Sequence, residues 1–159
     1  MKDIVRDILA SNASGRFYVM GILNVTPDSF SDGGKYFSAA SAFSQAQDMI
    51  DAGAAVIDVG AESTRPGSER VCAEEQIDRL AKILPDIVNT GVAVSVDTTL
   101  SQVAHFAIEC GADIINDVSA GTDDPQMLPL LAKHGVPTVL MHMPAQPKVM
   151  QQAPHYDDV

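Results

Sequence analysis

The feature that most constrains this chain is a repeating unit in which a helix-like stretch ends at a glycine, a short β-rich run follows, and a polar residue closes the run. Four segments share this unit: AGAAVIDVG at 52–60, TGVAVSVDT at 90–98, CGADIINDV at 110–118 and HGVPTVLMH at 134–142. An earlier run, FYVMGILN at 17–24, opens the series. Alternating β and α elements with mostly apolar strands are typical of a parallel sheet covered by helices.

Helices are readable between these runs, because apolar residues recur at helical spacing at 43–50 and at 77–88. Each run is preceded by a glycine that is predicted to take the left-handed conformation ending a helix. These glycines are Gly53, Gly91, Gly111 and Gly135. Pro85 lies inside the second helical pattern and predicts a kink or a break there. The Asp-Asp-Pro sequence at 123–125 predicts a helix cap followed by proline in the first turn.

Two architectures accommodate this alternation, a doubly wound open sheet and an eight-fold β/α barrel, and both place ligands at the carboxyl ends of the strands. A dinucleotide-binding open sheet needs a GxGxxG turn directly after a strand, and the chain has none. We therefore predict an α/β fold of the (β/α)8 TIM-barrel class, with only about five of the eight units present. All 159 residues are assigned to one domain.

Composition excludes several classes of function. The chain has 21 acidic and 10 basic side chains, and its net charge of −11 at pH 7 disfavours binding to nucleic acid. No apolar run approaches the roughly 20 residues that cross a bilayer, and charges interrupt the start of the chain. We therefore expect a cytoplasmic protein without a membrane partner. Cys72 and Cys110 lie far apart, without the spacing of a zinc site or a disulfide framework.

Polar side chains close every strand run, and in a barrel such strand ends build the ligand site. They are Asn24, Asp58, Asp97, Asn116 with Asp117, and His142. Any single one has an ordinary structural explanation, since Asn and Asp begin turns and cap helices. Five strand ends in register favour a common site instead. His142 is the weakest candidate, because a buried and hydrogen-bonded histidine is the commoner outcome.

Two connections exceed the roughly 2 to 6 residues that are usual between a strand and the next helix. The first loop, NVTPDSFSDGGKYFS at 24–38, combines hydroxyls, two aspartates and a Gly-Gly pair, which suits a mobile lid. The second loop, AESTRPGSERV at 61–71, places Ser63, Thr64 and Arg65 just after a strand, where they offer donors for a phosphate or carboxylate. On composition alone, solvated loops without function are an equal alternative.

Four motifs resemble segments of the dihydropteroate synthase family: MGILNVTPDSFSDGG at 20–34, DVGAESTRPGSE at 58–69, SVDT at 95–98 and INDVSAG at 115–121. With LMHMPAQPKVMQQAPHYDDV at 140–159, they cover the chain in the family's order. The resemblance implies a transferase of folate biosynthesis with magnesium as cofactor. Its substrates would be 6-hydroxymethyl-7,8-dihydropterin diphosphate and 4-aminobenzoate, its products 7,8-dihydropteroate and diphosphate, and its usual assembly a homodimer.

The same resemblance assigns roles to individual residues. Asp97 and Asn116 would line the pterin pocket, and Asn24 would be associated with the magnesium ion. Thr64 and Arg65 match positions that meet substrate groups. The first-loop positions that order around the diphosphate and the aminobenzoate match Thr26, Pro27, Asp28, Ser29 and Phe30. No covalent nucleophile is implied, because the pterin ring can delocalise positive charge as diphosphate departs, so neither cysteine is given a role.

Closing the barrel takes eight strands, so the resemblance implies an amino-terminal portion that lacks the last third or more of the fold. We expect this chain alone to be inactive, because further pterin and diphosphate contacts would come from the missing part. Two other functions stay open. One is a non-catalytic pterin-binding protein. The other is a methyltetrahydrofolate-dependent methyltransferase domain, which shares the barrel but differs from NVTPDSFSDGG in the first loop.

Overall fold

The computed structural model describes residues 2–10, 16–26, 39–62 and 70–141. Within these ranges an initial helix is followed by strands that alternate with helices. The helices are Asp3–Ala10 (α1), Ala39–Asp51 (α2), Ala73–Leu80 (α3), Leu84–Asn89 (α4), Ser101–Glu109 (α5) and Met127–His134 (α6). The strands are Met20–Asn24 (β1), Val56–Gly60 (β2), Ala93–Asp97 (β3), Ile114–Asp117 (β4) and Thr138–Leu140 (β5).

The strands form one parallel sheet in sequence order, from β1 at one edge to β5 at the other. The β1–β2 pairing runs from Met20 opposite Val56 to Asn24 opposite Gly60. Strictly sequential order is that of a barrel wall, whereas a doubly wound sheet reverses direction at its switch point. The topology therefore favours the predicted barrel over the open-sheet alternative.

Helices end where the sequence predicts. The glycines before β2, β3, β4 and β5 have positive φ angles of 98°, 85°, 97° and 61°. Pro85 marks a break: α3 ends at Leu80, and Pro85 lies in the first turn of α4. The prediction for Pro125 was wrong, because α6 begins two residues later, at Met127. Asp124 instead accepts hydrogen bonds from the backbone N–H groups of Ser101 and Gln126.

One face of the sheet packs against helices α2 to α6 and forms the main core. Its fully buried strand residues are Leu23, Ile57, Val59, Val94, Val96 and Ile115. The helices contribute further buried residues to this cluster, among them Leu80 of α3 and Leu84 and Ile87 of α4. Burying each such side chain contributes roughly 1.5 to 3 kcal/mol, so this layer fixes the strand positions from which the site is built.

The opposite face is covered at its amino-terminal end by α1. Val5 of this helix is fully buried against Val56, Ala93 and Ile114 of three consecutive strands. Lys2 Nζ donates to Asp113 Oδ2 at 2.9 Å and so ties the helix to the approach of β4. At β2, β3 and β4 the amino-terminal part of this face is therefore apolar and buried, which leaves the carboxyl ends of the strands as the place for polar groups.

Candidate functional site

The face covered below by α1 becomes polar toward the carboxyl ends of the strands. Lateral neighbours in a parallel sheet point to the same face. The register therefore places Asn24, Gly60, Asp97 and Asn116 side by side in one row. The row beneath contains Asp58 beside Ser95. We call the five polar side chains of these two rows the strand-end site: Asn24, Asp58, Ser95, Asp97 and Asn116.

Asp58 and Asn116 are joined across β3. The Asn116 side-chain Nδ2 donates to Asp58 Oδ2 at 3.1 Å. Asp58 is only 4% exposed, and its second oxygen, Oδ1, is buried without a hydrogen-bond partner in the described part of the chain. Ser95 Oγ, beside it in the register, is likewise buried and unpartnered there. Buried polar atoms without partners cost stability, so their clustering on one face indicates a place for ligand or water.

The pKa of Asp97 is strongly shifted. Burial first, and then the negative charges of Asp58, Glu62 and Asp117, raise the pKa of Asp97 to about 7. None of the ion pairs among the described residues reaches Asp97. A carboxyl group with this pKa can accept or donate a hydrogen bond near neutral pH, and such shifted groups concentrate at functional sites.

Gly60 leaves an open space between Asn24 and Asp97. A Cβ at Gly60 would lie 3.4 Å from Asn24 Oδ1 and 3.7 Å from Asp97 Oδ2. The described residues contain no group of three His, Cys, Asp or Glu side chains that could hold a metal. Magnesium, however, commonly takes one or two protein oxygens and completes its shell with water and phosphate. Asn24 Oδ1, beside the space at Gly60, is an amide oxygen of the kind that such an ion accepts as a ligand.

Asp117 has a structural role, although it also stands at a strand end. It is fully buried and lies on the opposite face of the sheet. Its Oδ1 accepts from the backbone N–H and the hydroxyl of Ser119 at 2.8 and 2.7 Å, and its Oδ2 accepts from the N–H of Gly121 at 2.7 Å. These bonds satisfy the carboxylate and shape the turn after β4, which is the ordinary explanation for an aspartate at a strand end.

The base of the second loop is closed by a buried network. Glu62 Oε1 accepts from the N–H of Val71 at 3.2 Å, so the two ends of the loop are joined. Gln76, which is fully buried, donates to Glu62 Oε2 and to the carbonyl of Val71, and it accepts from the hydroxyl of Thr98. Because Thr98 follows Asp97 directly, this network fixes the loop base relative to the site.

Arg70 links the second loop to the connections after β3 and β4. Its Nη1 donates to Thr99 Oγ1 at 3.0 Å, and its Nη2 forms an ion pair with Asp123. That ion pair, whose side chains are partly exposed, raises the pKa of Arg70 further. Arg70 thus draws three neighbouring strand-end connections together.

The remaining predicted site residues fall into two groups. Thr26 is buried directly after β1, where the N–H of Val25 donates to the carbonyl of Gly60 at 2.8 Å. The others lie outside the described residues, namely Pro27, Asp28, Ser29, Phe30, Thr64, Arg65 and His142. The structure thus brings Asn24, Asp97 and Asn116 together as predicted.

The prediction that Asp58 closes its strand was wrong, because β2 continues to Gly60. Sequence reasoning assigned Asp58 no other role, and it did not single out Ser95. The available signal was their spacing: each lies two residues before a strand-end position, and alternate residues of a strand share a face. Their significance rests on the absence of partners in the described structure, which a sequence does not reveal. The described part of the chain also contains no helix long and apolar enough to cross a membrane.

A parallel sheet in sequential order, with helices α2 to α6 on one face and carboxyl and amide groups at its strand ends, defines an α/β-barrel protein whose ligand site lies at the carboxyl face. The chain belongs to the pterin-binding enzyme family, whose sequence profile matches residues 20–159. A dihydropteroate synthase from Synechocystis is 44% identical over 145 residues, which cover 91% of this chain and 50% of the relative.

Solved structures give the same relationship. A Yersinia pestis dihydropteroate synthase in complex with a sulfonamide drug superimposes with a TM-score of 0.81 at 46% identity, covering 90% of this chain and 52% of that one. A Xanthomonas albilineans dihydropteroate synthase with 4-aminobenzoic acid gives a TM-score of 0.79 at 43% identity, covering 91% and 50%. These comparisons confirm the predicted family resemblance and the barrel class. The chain spans about half the length of the relatives it matches.

Proposed function

We propose that this chain forms the pterin-binding part of a dihydropteroate synthase. The reaction joins the amino nitrogen of 4-aminobenzoate to the exocyclic methylene of 6-hydroxymethyl-7,8-dihydropterin diphosphate. The methylene C–O bond breaks, diphosphate leaves with the bonding electrons, and the amine loses a proton. The observation that carries the proposal is the position of Asp97 directly beside Asn116 at the strand ends, within a family defined by pterin binding.

The chemistry of these two residues suits a pterin ring. Its pyrimidine edge carries an amino group and ring nitrogens in fixed directions, so it needs partners that are equally fixed. Asn116 is held by its bond to Asp58, and Asp97 is held by β3 in a partly buried position. The raised pKa of Asp97 allows its carboxyl group to match either a donor or an acceptor on the ring near neutral pH.

Departure of the diphosphate needs positive charge nearby, because the leaving group gains charge as the C–O bond breaks. A magnesium ion would neutralise part of that charge, and Asn24 Oδ1 beside the space at Gly60 is the oxygen proposed to hold it. By resemblance, Thr64 and Arg65 contribute a hydroxyl and a cation from the second loop. Thr26, Pro27, Asp28, Ser29 and Phe30 of the first loop would then enclose the diphosphate and the aminobenzoate.

Calorimetry with 6-hydroxymethylpterin tests the pterin site on the 159-residue chain. We expect saturable binding that Asp97→Ala weakens by at least about tenfold, since a directional contact to a partly buried carboxyl group is lost. Asp123→Ala is a matched control, because Asp123 pairs with Arg70 on the exposed side of the loops and takes no part in the strand-end site. Absence of binding, or equal binding by both variants, would overturn the proposal.

A second candidate function is pterin binding without turnover. It is favoured by the five strands of the described sheet and by the chain's coverage of only about half of its relatives. We expect the chain alone to bind pterin without releasing diphosphate. A coupled diphosphate assay with both substrates decides between the two functions. Release of diphosphate at a rate that Asp97→Ala abolishes would show that the chain is an active synthase by itself.

Two further expectations complete the proposal. A cytoplasmic location stays a prediction from the sequence, testable by fractionation of the native host's cells. Homodimer formation stays a prediction from the family resemblance, testable by analytical ultracentrifugation of the purified chain.

A further inference from the structure

We propose that Asp58 determines the ligand specificity of the strand-end site, by fixing the Asn116 amide in one orientation so that each of the two residues keeps a free hydrogen-bond acceptor. This inference rests on the proposed pterin site and adds a residue to it. Asp58 lies in β2, whereas Asn116 lies in β4, so a single contact couples two strands that are not neighbours in the sheet. Asp58 acts through Asn116 and is therefore a positioning residue.

The orientation follows from the hydrogen-bonding capacity of the two groups. A carboxylate oxygen only accepts, so the atom of Asn116 that faces Asp58 Oδ2 at 3.1 Å is the amide nitrogen. The amide oxygen of Asn116 is thereby turned away from Asp58. Asp58 Oδ1 is the other free oxygen of the pair, buried and without a partner among the described residues. The pair therefore uses one N–H of Asn116 internally and leaves one free oxygen on each residue, together with the second N–H of Asn116.

The same count predicts what a substitution does. In Asp58→Asn, two amides face each other, and one hydrogen bond between them uses one nitrogen and one oxygen. Three N–H groups and one oxygen are then left, whichever way the amides turn. Compared with the wild type, the pair consequently loses one acceptor and gains two donors. If the residues are exchanged, as in Asp58→Asn with Asn116→Asp, the internal bond reverses and two free oxygens remain, as in the wild type.

A pair of acceptors selects a heterocycle edge that presents N–H donors. A pterin carries a 2-amino group, whereas the corresponding lumazine carries a 2-oxo group at the same position and is otherwise closely similar in shape. A carbonyl oxygen placed against a carboxylate or amide oxygen leaves both acceptors without donors in a buried site. The wild type is therefore expected to bind 6-hydroxymethylpterin roughly 10- to 100-fold more tightly than 6-hydroxymethyllumazine.

The test is the ratio of the two dissociation constants, measured by calorimetry on the full chain for wild type, Asp58→Asn, and the exchanged double variant. We expect Asp58→Asn to reduce the pterin preference by about tenfold or more, and the exchange to restore it to within about threefold of wild type. Thermal unfolding verifies that each variant is folded. A role of Asp58 in stability alone would lower both affinities together and leave their ratio unchanged.

A second measurement uses the wild type alone, so it stands even if a variant does not fold. In asparagine-labelled protein, one of the two Asn116 Nδ2 protons should resonate downfield and exchange slowly, as expected for a buried bond to a carboxylate. The inference on Asp58 is overturned if the ratio of dissociation constants is unchanged in Asp58→Asn, or if the two Asn116 amide protons are equivalent and exchange rapidly. Binding of pterin by the wild type would still support the proposed function in either case. Failure of the wild type to bind pterin overturns the proposed function, and the Asn116 resonances then still decide the orientation.

Discussion

Replacement of Asp97 by asparagine should change how the stability of the chain depends on pH. The pKa of this carboxyl group is raised from its ordinary value of 3.8 to about 7, first by burial and then by the charges of Asp58, Glu62 and Asp117. The folded state therefore favours the protonated acid. Asparagine is uncharged at every pH and similar in size, so Asp97→Asn removes the titration with little change in packing.

The sign and magnitude follow from the two pKa values. Between about pH 4 and pH 7 the folded chain keeps a proton on Asp97 that the unfolded chain has lost, so stability falls as the pH rises. Below pH 4 both states are protonated, and above pH 7 both are ionised, so the effect is confined to this window. A pKa difference of about 3 units corresponds to about 4 kcal/mol, and this penalty is complete by about pH 8.

Urea unfolding followed by circular dichroism, at intervals from pH 4.5 to pH 8, measures this penalty. The quantity compared is the free energy of unfolding of Asp97→Asn minus that of the wild type. The difference should grow in favour of Asp97→Asn by up to about 4 kcal/mol across the series. Asp124→Asn is the control. The bonds from Ser101 and Gln126 lower the pKa of Asp124, so its contribution is lost only below the ordinary pKa of an aspartate, and the control difference should be flat above pH 4.5.

A difference for Asp97→Asn that stays constant from pH 4.5 to pH 8 would refute the reasoning. It would mean that Asp97 is ionised throughout this range in the folded chain, with a cation or donor close enough to offset its burial. A rise that begins near pH 4 and continues beyond pH 8 would place the pKa of Asp97 above about 7.

Three further substitutions test separate contacts. Gly60→Ala adds a methyl at ordinary contact distance from its neighbours, so the free energy of unfolding should change by less than about 1 kcal/mol. Calorimetry should show about tenfold weaker magnesium-dependent binding of diphosphate. Gln76→Leu removes the three hydrogen bonds of a buried side chain and should cost about 2 to 4 kcal/mol in urea unfolding. The exposed Gln102→Leu should cost less than about 0.5 kcal/mol. Ser95→Ala removes a buried hydroxyl that has no partner in the described structure, so stability should rise by up to about 1 kcal/mol, and a loss of that size would reveal a partner.

The strand ends could be predicted from the sequence because the rules that govern them are local. A glycine in the left-handed conformation precedes each of the last four strands, and a polar residue closes β1, β3 and β4. Parallel strands bring their carboxyl ends to one edge of the sheet, so Asp97 and Asn116 had to be neighbours. The start of β1 was less predictable. The run from Phe17 is apolar, but the strand begins at Met20, since its partner β2 begins only at Val56.

What the sequence did not reveal depends on contacts between distant residues. Helix α1 was missed because its eight residues form a short amphipathic segment whose burial depends on Val56, Ala93 and Ile114. The roles of Asp58 and Asn116 as a pair were missed for the same reason. They are 58 positions apart, and neither residue type predicts which partner it will meet.

The location of the site also follows from where buried polar atoms lack hydrogen-bond partners. Three buried side-chain atoms lack a hydrogen-bond partner in the described part of the chain, and two of them, Asp58 Oδ1 and Ser95 Oγ, are neighbours on the face that carries Asp97. The opposite face buries only apolar strand side chains and the fully satisfied Asp117. A sequence selected for stability alone would fill both faces alike, so unpartnered acceptors and a strongly shifted acid on one face indicate selection for something that binds there. The polar row lies beyond the part of that face where α1 packs, on Val56, Ala93 and Ile114, so the helix leaves the carboxyl ends of the strands open to a ligand.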